Sequence, residues 1–312
     1  LSACRQLFQL LLSLKQNKPT IMRALFFSAI AFLLAVAANA QQGKVIDTRT
    51  DMSSIMGKAV NYMVYLPPDY EASDRQYPVV YLLHGYTDDH TAWVQFGEVN
   101  RYADKAIAEG AIPPMIIVMP DADSSFYANS FDSKTRYEDF FFEEFLPAIE
   151  KKYRVRAQKQ FRGIAGLSMG GYGTMLYALK HPDMFAAAAP LSAAFFDDSS
   201  LIKIPKASWN MPLGFVYGAN LEGKARLSKT WYQNSIHELI RTKPANELKQ
   251  VRYWIDCGDD DFLIKGNCQV HIALIEKGIP HEFRVRDGVH DWTYWRTGII
   301  DALAFIGRSF RQ

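Results

Sequence analysis

Gly166-Leu167-Ser168-Met169-Gly170-Gly171 sets a serine between glycines two residues before it and two residues after it. The pattern of Phe161–Leu167 ahead of it predicts a strand. Met169–Lys180 behind it has helical spacing and is stopped by His181-Pro182. A strand that turns sharply into a helix leaves no room for side chains around the turning residue. Glycine at those two positions removes the Cβ atoms that would clash. Such a turn lifts the Ser168 hydroxyl above the sheet at the start of a helix, where free N–H groups and the helix dipole favour negative charge. A serine so placed reads as a nucleophile, which needs a base, and the base needs an acid to orient it.

On either side of this stretch, short apolar runs alternate with longer helical patterns. Val60–Leu66, Val79–Leu83, Met115–Met119, Phe185–Leu191, Val251–Cys257 and His281–Arg286 predict strands. Val99–Glu109, Arg136–Tyr153, Asn267–Lys277 and Thr293–Phe310 predict helices, the second despite Pro147. Strands separated by helices of this length predict βαβ units and a mostly parallel sheet with helices on both faces. Residues 195–241 break the rhythm with Pro, Gly and aromatics before turning helical around Lys229–Ile240. They read as a substrate-shaping insertion over the sheet within a single domain, residues 41–312.

An elbow of this type carries its partners in the chain order serine, acid, histidine. Of the five histidines after Ser168, only His290 falls in a loop between the last strand and the last helix. The acid belongs after the preceding strand, where Asp259, Asp260 and Asp261 all lie, and spacing does not choose among them. Three adjacent carboxylates repel, so at least one is expected to face solvent. The negative oxygen formed during acyl transfer requires N–H donors. The backbone of Met169 is one candidate, and that of Tyr86, in the His84-Gly85-Tyr86 loop after Val79–Leu83, is the other.

Composition narrows the class. The chain has 312 residues, 49% hydrophobic and 22% charged, which excludes disorder. Three cysteines exclude a disulfide-dense scaffold, and a net charge of +2 gives no electrostatic case for nucleic acid. The four basic residues Arg5, Lys15, Lys18 and Arg23 stand in residues 1–40 with no Asp or Glu among them. There Met22-Arg23, the apolar run Ala24–Ala38 and Ala38-Asn39-Ala40 have the order of a secretory signal peptide, and residues 1–21 read as an upstream extension. The run is short for a membrane span of about 20 residues, so no stable membrane insertion is expected once the signal is removed. The expected location is secreted or periplasmic. In such a compartment Cys257 and Cys268 are free to pair, although each also suits a small buried apolar position. No H-E-x-x-H, phosphate-binding loop or complete dinucleotide fingerprint is present, so no metal or other cofactor is implied.

Tyr81-Leu82-Leu83-His84-Gly85, Gly166–Gly173 and His290-Asp291-Trp292 together resemble the esterase D-like branch of the α/β-hydrolases, and within it bacterial feruloyl esterase-like proteins. The resemblance runs from about Val60 to Phe310. It implies the α/β-hydrolase fold and a serine carboxylesterase acting without a cofactor on a small-molecule or polysaccharide-linked ester, with hydroxycinnamoyl esters as the expected substrates. The family's acid lies in a Gly-x-x-Asp turn, which on Gly258-Asp259-Asp260-Asp261 selects Asp261. An acetyl (xylan) esterase and an acyltransferase remain alternatives, since both use the same three residues. A silent binding module is disfavoured because serine, histidine and acid are all present. Among the many aromatics of the insertion and the His290 loop, Trp209, Trp231 and Trp292 are the expected substrate contacts.

Overall fold

In the computed structural model, residues 42–310 are described. The predicted signal peptide and upstream extension lie outside them. Eight strands form one sheet: β1 Lys44–Arg49, β2 Asn61–Leu66, β3 Val79–Leu83, β4 Ile116–Pro120, β5 Arg162–Leu167, β6 Ala187–Leu191, β7 Arg252–Gly258 and β8 His281–Arg286. Their order is β1-β2-β4-β3-β5-β6-β7-β8. β1 pairs antiparallel with β2, and β2 with β4, while every pair from β4 to β8 is parallel. This is the mostly parallel α/β-hydrolase sheet that the sequence predicts. The one strand not foreseen is β1. Its Lys44-Val45-Ile46-Asp47-Thr48-Arg49 is polar and partly exposed, as an edge strand should be, and so lacks an apolar signature.

The central strands β3, β4, β5 and β6 are buried along their whole length, which requires cover on both faces. On one face lie α1 (Val99–Ala108) and the closing helix α5 (Trp292–Ser309). Val99, Ala103 and Ala106 of α1 meet Ile299, Ala302 and Ile306 of α5 in one apolar core. The other face is covered by α2 (Leu146–Lys152), α3 (Met169–Lys180), α4 (Ile264–Glu276) and the insertion, which share a second core. Among the described residues, no helix is long and apolar enough to cross a membrane.

The predicted helix Arg136–Tyr153 is interrupted. An α-turn Tyr137–Phe140 widens into a π-turn, Phe141–Phe145, before α2 resumes with Pro147 in its first turn. A proline ring collides with the carbonyl four residues back in a regular helix, and an expanded turn just ahead relieves that collision. The predicted helix at Lys229–Ile240 is two short ones, Lys229–Asn234 and Ile236–Thr242, divided by Ser235, whose hydroxyl accepts the N–H of Glu238.

β7 and β8 are clamped toward their carboxyl ends. Asp256 is fully buried and receives Arg286 through two parallel bonds, Nε to Oδ2 at 3.0 Å and an η-nitrogen to Oδ1 at 2.9 Å. The same guanidinium stacks 3.9 Å from the ring centre of Tyr294 on α5. A forked pair of this kind fixes the mutual alignment of the two strands. Arg286→Met should therefore destabilise the fold by about 3–5 kcal/mol, because it strands a buried carboxylate. Urea unfolding measures this, and a loss below about 1 kcal/mol would show that the clamp contributes little.

Candidate active site

β5 runs into α3 through Ser168, whose backbone sits at φ 53°, ψ −115°. That conformation is rare for a residue with a side chain and persists only where the surroundings enforce it. Here the enforcement is close contact. A Cβ on Gly166 would lie 2.6 Å from the Gly170 carbonyl oxygen, and one on Gly170 would fall on the carbonyl oxygens of both Leu83 and His84. Ser168 N–H donates to Leu191 O at 2.9 Å, and its carbonyl accepts from Tyr172 and Ala194. The backbone is fully committed, and the half-buried side chain is left pointing to the carboxyl end of the sheet.

There Ser168 meets two loops. His290 Nε2 lies 3.0 Å from Ser168 Oγ, and His290 Nδ1 lies 2.8 Å from Asp261 Oδ2. The Asp261 side chain is completely buried, and its other oxygen accepts the backbone N–H of Leu263 at 2.8 Å. Burial by itself pushes the carboxyl up. The His290 bond and the Leu263 N–H outweigh it and hold the group below the usual carboxylate range. A carboxylate on Nδ1 keeps the proton there and leaves Nε2 free to accept the serine proton. The imidazole lies between two aromatic rings, Trp295 edge-on at 4.8 Å and Phe262 at 4.6 Å.

The neighbouring carboxylates are turned elsewhere. Asp259 Oδ1 accepts the N–H of Gly288 at 3.0 Å, tying the acid loop to the histidine loop, and Asp260 is exposed. Asp259, Asp260 and Asp287 crowd together at the surface, with ligand atoms within 4.8 Å. All three are exposed, and this closure of two loops accounts for their proximity.

The loop after β3 completes the arrangement. A Cβ on Gly85 would lie 3.7 Å from Ser168 Cβ, so the backbone of this loop runs directly beside the serine. Neither Tyr86 N–H nor Met169 N–H donates to any group among the described residues. Both are available to an oxygen bound at Ser168.

Two expected substrate contacts are corrected. Trp209 is wholly buried, its indole N–H donates to Gly218 O at 2.9 Å, and the guanidinium of Arg226 covers its ring. Trp231 is buried too, with its N–H on Asp198 Oδ1 at 2.8 Å. Both hold the insertion together, since large rings in a segment with little regular structure supply its core. Trp292 is part-exposed and packs against Trp93, Phe96 and Trp295. Sequence reasoning overlooked Phe262, an apolar side chain 76% exposed on the imidazole. Its position directly after the acid was the available signal. Cys257 and Cys268 are unpaired, and burial pushes the Cys257 thiol up.

The model of the family described as "Putative esterase" matches residues 53–306. The protein named "Esterase Rv1288" of Mycobacterium tuberculosis (strain ATCC 25618 / H37Rv) is 32% identical over 258 residues, which are 76% of this chain and 54% of that protein. A protein of Xylanibacter ruminicola named "Endo-1,4-beta-xylanase/feruloyl esterase" is 35% identical over 165 residues, 51% of this chain and 23% of that protein. The chain thus spans about half or less of the length of these relatives. A solved structure titled "ferulic acid esterase" superposes with a TM-score of 0.76 at 35% identity, covering 86% of this chain and 99% of that one.

Because the Asp261 carboxyl is held down, the stability it contributes is fully present above the ordinary carboxylate range and is lost as pH falls through its lowered pKa. Asp261→Asn should abolish that contribution. Urea midpoints of the two proteins should therefore differ near neutrality and converge in acid. A gap that persists unchanged at the lowest pH would contradict this.

Proposed function

The chain belongs to the esterase family, and from that membership we propose that it is a serine carboxylesterase whose triad is Ser168, His290 and Asp261. The observation that carries the proposal is the continuous path from Asp261 Oδ2 through the imidazole to Ser168 Oγ, at 2.8 and 3.0 Å. Ser168 Oγ attacks the ester carbonyl carbon while its proton passes to His290 Nε2. The carbonyl oxygen becomes negative and is held by Tyr86 N–H and Met169 N–H. As the C–O bond to the alcohol breaks, His290 returns the proton to the leaving oxygen. A water molecule, deprotonated by the same nitrogen, then attacks the acyl-serine and releases the acid. Asp261 stays ionised throughout and stabilises the imidazolium.

We propose that the acyl groups accepted include flat hydroxycinnamoyl groups such as feruloyl, on plant polysaccharide or small phenolics. The feruloyl esterase names among the relatives support this. So does an exposed ring, Phe262, in contact with the base. Ring-on-ring contact adds about 0.5–1.5 kcal/mol beyond area burial. We also propose export to a secreted or periplasmic location, on the strength of the Ala24–Ala38 run and the Ala38-Asn39-Ala40 site.

Methyl ferulate should be hydrolysed faster than a long-chain lipid ester. Ser168→Ala and His290→Ala should lower turnover to below one part in a hundred. Asp261→Asn should cost up to ~10⁴ in kcat, against little for Asp259→Asn. Turnover of p-nitrophenyl acetate with none of methyl ferulate would favour the acetyl-esterase alternative, and product ester formed from an added alcohol would favour acyl transfer. Retained activity in Ser168→Ala would overturn the triad itself.

A further inference from the structure

The loop between β4 and α2 contains two adjacent aromatic residues in the left-handed region, Phe126 at φ 51° and Tyr127 at φ 58°. Two consecutive bulky side chains there are costly and mark a segment held by its surroundings for a reason. Tyr127 is completely buried and packs against His84, Tyr137 and Tyr177. Its hydroxyl donates to the carbonyl oxygen of His84 at 3.0 Å. Burial pushes that hydroxyl well up, so it remains a donor throughout the working pH range.

His84 is held just as closely. Its Nε2 accepts the backbone N–H of Ala122 at 2.9 Å, so the ring proton resides on Nδ1. Nδ1–H then donates to Gly85 O at 2.8 Å. The Asp121 carboxylate is 3.7 Å from Nε2, outside bonding distance of a nitrogen already occupied. Gly85 O accepts a second bond, from Asp88 N–H at 3.2 Å. In a trans peptide the carbonyl and the following N–H point in opposite directions. With Gly85 O drawn toward His84 and Asp88, Tyr86 N–H must point the other way.

We infer that Tyr127 and His84 are positioning residues for the oxyanion donor: His84 Nδ1–H sets the plane of the Gly85–Tyr86 peptide, and Tyr127, through the His84 carbonyl, sets the peptide before it, so that Tyr86 N–H faces the oxygen bound at Ser168. The inference rests on the esterase reading above. It assigns to the strained Asp121–Tyr127 segment the task of holding that peptide before substrate arrives. Donors pre-aimed at the developing charge act on the transition state and not on the bound ester, so their misalignment lowers kcat and leaves KM alone.

The test compares wild type with Tyr127→Phe, which keeps the ring and its packing. Five quantities are read: kcat and KM for an ester the wild type hydrolyses, the affinity of an arylboronic acid, the affinity of ferulate, and the urea midpoint. The boronic acid forms a bond from Ser168 Oγ to boron and places a boronate oxygen at the oxyanion position. Removing a whole donor costs about 10²–10³ in kcat, so a tilted one should cost roughly 10- to 100-fold. Boronate affinity should fall by a similar factor, with KM and ferulate affinity within about twofold. His84→Asn retains a side-chain N–H able to reach Gly85 O and should recover most of the kcat lost in His84→Ala. If His84→Ala does not fold, Tyr127→Phe decides alone. Unchanged kcat and boronate affinity in Tyr127→Phe, or losses confined to KM and ferulate affinity, would overturn the inference while leaving the esterase reading in place. Absence of Ser168-dependent ester hydrolysis in the wild type would overturn both.

Discussion

Everything at the carboxyl end of this sheet depends on how closely helix α3 approaches the end of strand β3. Gly170 sits against the carbonyl oxygens of Leu83 and His84, nearer than any side chain would permit. That contact lets Ser168 occupy a backbone conformation it would otherwise avoid. It also brings the β3 loop beside the serine, so that Ser168 and the Gly85–Tyr86 peptide are placed by one packing event. Trp93 secures the other side of the same junction, its indole N–H donating to Leu83 O at 2.9 Å.

His290 and Asp261 arrive from the far half of the sheet. β7 and β8 are neighbours, and their loops supply Asp261 and His290 respectively. Strand adjacency alone leaves the relative heights of two loops adjustable by an ångström or more, and proton transfer does not tolerate that. The Asp256–Arg286 fork removes the slack below the loops, and the bond from Gly288 N–H to Asp259 removes it above. Asp259 thus contributes to the site through geometry, although it touches neither His290 nor Ser168.

The insertion solves a different problem. With only short helices, it has little hydrogen-bonded framework and is stabilised by burying large rings. Trp209 under Arg226, Tyr217 against Trp231, and the Tyr172–Tyr217 hydroxyl pair at 2.8 Å join it to α3. Its aromatic richness is therefore mostly internal packing. The aromatic surface beside His290 comes instead from Phe262, in the loop after β7.

Seven of the eight strands, the elbow and the candidate nucleophile and base are legible in the residues alone. Each of these is written in local signals: apolar runs, helix stops, and a serine between obligatory glycines. Even the π-turn ahead of Pro147 follows from a residue visible in the sequence, though its placement does not. Spacing does not choose among three consecutive aspartates; the Gly-x-x-Asp turn of the resemblance selects Asp261, and the structure gives the reason, since the β7 loop folds back on the β8 loop with that carboxylate against His290. Two things came only from the tertiary structure. Which tryptophans are buried depends on what packs over them, because a buried and an exposed indole have the same local pattern. The direction of Tyr86 N–H depends on the bond from His84 Nδ1–H to Gly85 O, and on how Ala122 and Tyr127, roughly forty residues downstream, hold His84. A peptide plane fixed by contacts so distant in the chain can be seen only once the chain has closed on itself.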